Sequence, residues 1–181
     1  MKMPQLVCLS SKSEGGSCSF DVDYKCNPTS LFKFIESKNW DDAKARIQEH
    51  PDEVHGWVTR RRKKDGTIRW KVLPLHAALY TKAPKDVVLP LIHAFPEACS
   101  LADDQGMLPL HLAMIDENID DEVVKILLQT FPAGVNIKDK VGRLPIAMKG
   151  RPILWVLHIL FASTLLDEGG SRTKEIKNLK E

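Results

Sequence analysis

Leu73-Pro74-Leu75-His76-Ala77-Ala78 returns as Leu108-Pro109-Leu110-His111-Leu112-Ala113, and once more in weakened form as Leu144-Pro145-Ile146-Ala147. The offsets between the three copies, read from 73, 108 and 144, are 35 and 36 residues. The segment behind each of the first two copies repeats too. Asp86-Val87-Val88 through Phe95-Pro96-Glu97-Ala98 aligns with Glu122-Val123-Val124 through Phe131-Pro132-Ala133-Gly134. Self-similarity at this period predicts a solenoid, because one short unit cannot bury its own apolar face and must stack on its neighbours. Proline at the first helical position has no N–H to lose there. The leucines and valines at three- and four-residue spacing supply the stacking face.

Working outward, Asn27-Pro28 reads as an N-cap followed by proline, with Leu31, Phe32, Phe34 and Ile35 at helical spacing behind it. Asn39 caps a second helix with Trp40, Ala43, Ala45 and Ile47 on its inner side. His50-Pro51 ends it, since a residue before proline avoids the helical region. Between this helical pair and the first clear motif, Trp57 to Val72 has Asp65-Gly66 at its middle. That dipeptide predicts a tight hairpin turn with positive φ at both residues. Ile68, Trp70 and Val72 alternate as one face of a half-buried strand. Pro90 falls inside a predicted helix and is expected to kink it.

These residues resemble the ankyrin repeat. Pro74, Leu75 and His76, then Pro109, Leu110 and His111, and in part Pro145, supply its core motif. Val123 to Leu128 supply its second helix, and Gly134 to Arg143 its exit and turn. The resemblance is good over about residues 73–150. It implies pairs of antiparallel helices with projecting turns, a structural role for both histidines, and a concave face that binds another protein. Leucine stands at 73, 108 and 144 where the family has threonine, so the family's threonine-to-histidine hydrogen bond cannot form. Ala147 replaces the third histidine.

The expected fold is an all-α, ankyrin-like helical solenoid with one inserted β-hairpin. A flexible tail is expected over 1–27 and the repeat domain over 28–166. Within the latter lie a degenerate first repeat at 28–56, the hairpin at 57–72, repeats at 73–107 and 108–143, and a degenerate repeat or cap at 144–166. The Ser- and Gly-rich start cannot bury enough surface to offset its ordering entropy. Ile153–Leu166 is apolar on all sides, too short to span a bilayer at its 14 residues, and lacks the polar outer face of a cap. Burial as an imperfectly covered cap is the favoured reading; docking a partner, dimerisation, contact with a membrane, the edge of a longer repeat array or an error in the coding sequence are the others. Residues 167–181 form a charged tail.

A net charge of +2 gives no global pull toward nucleic acid or an anionic membrane, so any electrostatic function must be local. Two regions qualify. Arg60, Arg61, Arg62, Lys63 and Lys64, reinforced by Arg69, make a basic hairpin for an acidic partner, nucleic acid or nuclear import. The ordinary alternative is an edge kept charged against aggregation. The turn tips, with Asp103, Asp104 and Met107 in one unit and Lys138, Asp139 and Arg143 in the next, are expected to line the binding face. Four cysteines, none in a Cys-x-x-Cys pair, suit neither zinc nor a disulfide framework. With no apolar leader at the start, the expected location is intracellular, cytoplasmic or nuclear. The mononucleotide, dinucleotide, zinc-protease and serine-hydrolase motifs are all missing. The expectation is therefore a non-catalytic monomer that binds a protein, without cofactor or metal. A nucleic-acid adaptor is the alternative.

Overall fold

The computed structural model describes residues 19–148. The apolar run 153–166 and both extreme tails lie outside the described residues. Three similar units stack side by side. The first has helices α1 (Ser30–Glu36) and α2 (Trp40–Glu49), a 3-10 turn (Pro51–His55), and a hairpin of β2 (Gly56–Arg61) and β3 (Ile68–Val72). The second has α3 (Pro74–Tyr80), α4 (Lys85–Ala94) and a 3-10 turn (Pro96–Ser100). The third has α5 (Pro109–Ile115), α6 (Asp121–Thr130) and a 3-10 turn (Pro132–Asn136). A last 3-10 turn (Pro145–Ala147) starts the next unit. The inner helices α1, α3 and α5 pack in a row, and the outer helices α2, α4 and α6 in a second row behind them. One continuous apolar core runs between the rows, from Leu31 and Ile35 through Leu91 and Ile92 to Leu127.

The first unit is a fuller repeat than its sequence advertises. His50, Phe95 and Phe131 each precede a proline, and their φ/ψ angles are −135/68, −143/76 and −139/76. Lys38 and Lys82 take matching left-handed φ of 59° and 58° after α1 and α3. There the Asn39 N–H donates to Phe34 O and the Ala83 N–H to Ala78 O, both at 2.8 Å, the Schellman closure of a helix end. The buried Glu53 ties this unit together. Its Oε2 accepts the Leu31 N–H at 2.8 Å and its Oε1 the Arg46 Nε–H at 3.0 Å.

Several expectations need correction. The fold is not purely all-α, because a three-stranded sheet in the order β1-β2-β3 stands at the first unit. Its extra strand, β1 (Phe20–Asp23), falls in the stretch read as a flexible tail and pairs in parallel with β2, Phe20 opposite Gly56. Phe20 lies over Gly56, where an added Cβ would sit 3.0 Å from its ring. Helix α1 starts at Ser30, not at Pro28, because the Thr29 hydroxyl accepts the Phe32 N–H at 3.3 Å. The Asn39 cap and the stop at His50-Pro51 stand as read. Ala45, expected on the inner side of α2, is exposed.

The hairpin does not close in a two-residue turn. Only Gly66 has positive φ (69°), and the strands meet where the Arg62 N–H donates to Thr67 O at 2.8 Å. The Asp65 carboxylate accepts the Thr67 N–H and hydroxyl instead. Nor does β3 alternate throughout. Arg60 pairs with Trp70 but Arg61 with Ile68, so Arg69 is an extra, bulged residue. The bulge turns Ile68 onto the opposite face from Trp70 and Val72 and leaves it 47% exposed. Pro90 is carried inside α4 without ending it. The carbonyl it leaves without a helical donor belongs to Asp86, which is exposed and open to water.

Candidate functional site

Each inner helix is seven residues long and closes on its seventh residue. These residues are Glu36, Tyr80 and Ile115, and the last two are 47% exposed. The hairpin and the two later turns project beside that row and are joined to one another. Lys71 and Asp104 exchange hydrogen bonds, with the Lys71 N–H donating to Asp104 Oδ1 at 2.9 Å and the Asp104 N–H to Lys71 O at 3.3 Å. The Lys140 N–H donates to Gln105 O at 3.0 Å, and its ammonium to Asp104 O at 2.7 Å. The hairpin is thus an enlarged version of the projecting turn, in line with the other two.

Between α1, α3 and β3 lies a groove of about 340 Å³ with Phe32, Trp70, Val72 and Ala77 as its apolar floor and Glu36, Arg69, Tyr80 and Gln105 at its rim. Its end wall is an aromatic cluster. Phe32 stacks on Trp70 at 6.1 Å, and Tyr24 meets Trp70 edge-on at 5.0 Å. Such contacts add roughly 0.5–1.5 kcal/mol each beyond area burial. They hold the groove open before any ligand arrives. A second groove, more polar and about 550 Å³, runs along the Trp57 and Lys71 side of the hairpin. Trp57 itself stacks on His76 at 6.0 Å, so both tryptophans are committed to packing.

The sequence-predicted site residues divide sharply. Asp103 and Asp139 are buried and hold the turns. Asp103 Oδ1 accepts the Gln105 and Met107 N–H groups at 2.8 Å, and its Oδ2 accepts the Tyr80 hydroxyl at 2.7 Å. Asp139 Oδ1 accepts the Val141 and Arg143 N–H groups, and its Oδ2 accepts Arg143 Nε–H at 2.8 Å. Burial would raise the Asp139 pKa, but these hydrogen bonds outweigh it and hold the carboxyl below its usual range. Burial, then the bond to Asp103, raises the Tyr80 phenol. Neither aspartate is free for a partner, which corrects that expectation. Met107 packs half-buried against the core, and Lys138 is exposed.

On the hairpin, the Arg60 guanidinium sits 5.2 Å from the Tyr24 ring centre, and Arg61 donates to Gly66 O at 3.3 Å. Arg62, Lys63, Lys64 and Arg69 are exposed and form no ion pair among the described residues. The groove residues Phe32, Trp70 and Tyr80, and the exposed Ile115, were missed from sequence. The signal for the last two was present, since an apolar residue closes the inner helix at the same place in two units.

The histidines are structural. His76 and His111 are fully buried, and their Nε2 atoms lie 3.1 Å from Leu101 O and 3.2 Å from Arg143 O, each in the turn of the next unit. His111 Nδ1 accepts the Leu108 N–H at 3.1 Å, which replaces the missing threonine with backbone. His76 Nδ1 has no partner. Burial pushes the His76 pKa down to about 4 and lowers that of His111 as well. Cys26 and Cys99 are free thiols. Among the described residues no cluster of His, Cys, Asp and Glu is arranged to hold a metal, and no helix is long and apolar enough to cross a membrane.

Stacked helix pairs, projecting turns tied edge to edge and a preformed groove define a helical-repeat scaffold. Residues 105–140 match the family model of the ankyrin repeat, so this segment of the chain is an ankyrin repeat. The matched segment begins and ends on the two residues, Gln105 and Lys140, whose backbones bond to each other across the stack. No curated protein matches the chain.

Proposed function

We propose that this chain is a non-catalytic module that binds a partner protein through its concave side. Ankyrin repeats generally mediate protein–protein interaction. The observation that carries the reading here is the groove floored by Phe32, Trp70, Val72 and Ala77, continued by the exposed Tyr80 and Ile115. Exposed large apolar residues gathered on a rigid concave surface are what a binding face needs, and a preformed face loses little ordering entropy on association. Affinity capture with the full chain tests it. Ile115→Arg combined with Gln105→Trp, both at exposed positions, should abolish most captures, while Glu97→Arg on the opposite side should leave them. If the concave variant keeps its partners and its fold, the reading is wrong.

A second reading, an adaptor for nucleic acid, is favoured by the four exposed cations at the hairpin. Phosphate-driven binding weakens steeply with salt, so retained binding at high salt separates the two.

A further inference from the structure

The two grooves meet at Arg69. Paired residues of neighbouring strands share a face, so Trp70 and Val72 look into the apolar groove while Trp57 and Lys71 look into the polar one. Arg69 is the bulged residue between these faces and borders both grooves, as do Asp104 and Gln105. A bulge commonly re-aims a side chain, and here it sets a guanidinium that has no ion pair among the described residues at the lip of an apolar slot. The polar groove adds Arg62, also without an acidic partner, and Lys140. Lys71 is already neutralised by Asp21 at 2.8 Å.

From this juxtaposition we infer that the paired grooves take an extended acidic peptide, one large apolar side chain entering the Trp70 slot and carboxylates beside it lying against Arg69 and Arg62. The inference rests on the concave-face reading and specifies its partner. At about 340 Å³ the slot has room for a leucine-sized or aromatic side chain. Arg69 and Arg62 form no ion pair among the described residues, so a carboxylate supplied from outside can engage them. Nucleic acid fits less well. A polyphosphate backbone offers nothing to the apolar floor.

The test is a random displayed-peptide library selected on the full chain, then anisotropy titration of the enriched peptides. Enriched peptides should share a large apolar residue beside Asp or Glu. Arg62→Glu with Arg69→Glu, both exposed positions, should weaken them about tenfold or more. Exchanging the peptide's acids for lysine should restore binding to that charge-reversed chain. Peptides without acidic bias, or binding indifferent to the charge reversal, overturn the inference. So does displacement of the peptides by oligouridylate at physiological salt. If the peptides ignore the charge reversal but are lost with Ile115→Arg and Gln105→Trp, the groove reading survives and only the acidic complement falls. If they ignore both, the groove reading falls as well.

Discussion

His76 and His111 occupy the same place in consecutive units, yet only His111 uses both ring nitrogens. In the third unit the projecting turn leads into Leu108, whose amide reaches the ring. In the second unit β3 runs directly into Leu73, and the equivalent ring nitrogen, packed under Trp57, is left without a partner. The aspartates differ in parallel. Asp139 draws on Arg143 of its own turn, whereas Asp103 reaches back to Tyr80 on α3. The unit that the family model matches closes on itself, and the unit beside the enlarged hairpin is tied to its surroundings. A repeat can vary its hydrogen bonds without losing its fold, provided its apolar stacking is kept.

Truncating the rings bears most heavily on this contrast. His111→Ala should lose about 4 kcal/mol of stability, from a cavity plus two buried hydrogen bonds, and His76→Ala about 3 kcal/mol. Denaturant unfolding of both variants measures the difference, and an equal loss would mean that the Leu108 amide contributes nothing. Acid should act on the orphaned ring next. The folded His76 pKa lies near 4 against an ordinary value near 6.5, so below pH 6.5 the unfolded chain binds more protons. The stability tied to the neutral ring is complete above about pH 6.5 and disappears progressively toward pH 4, by roughly 3 kcal/mol in all. Measured at pH 7 and pH 4.5, His76→Gln should lose less stability than the parent, and an identical pH slope would contradict this. The turn glycines give the smallest contrast. Both need positive φ, 77° at Gly106 and 87° at Gly142, but a Cβ on Gly106 would lie 2.8 Å from the Lys140 nitrogen while one on Gly142 meets nothing. Gly142→Ala should cost about 1 kcal/mol and Gly106→Ala about 2 kcal/mol or more. Thermal melts of the two would rank them.

The stack was legible because its signal is periodic. The Leu-Pro starts, the Phe-Pro ends and the apolar spacing each predict the same unit. The first unit was harder to read because His50 stands where the others have phenylalanine, although its backbone angles are the same. What failed was what depends on contact. Strand β1 exists only because β2 offers it an edge. The bulge at Arg69 breaks an alternation that looked strict. Asp103 and Asp139 read as exposed tips because turns are polar, whereas their carboxylates face inward to satisfy turn amides. The groove needs Phe32 from one unit and Trp70 from the hairpin, a meeting that spacing alone does not forecast.

The edge-to-edge bonds through Lys71, Asp104, Gln105 and Lys140 carry a mechanical consequence. They form a rail running across all three units, beside the bonds that tie each turn to the helices behind it. The hairpin is joined to the second turn by two hydrogen bonds, and the second turn to the third by two more. The width of the groove and the attitude of the most distant turn are therefore set together.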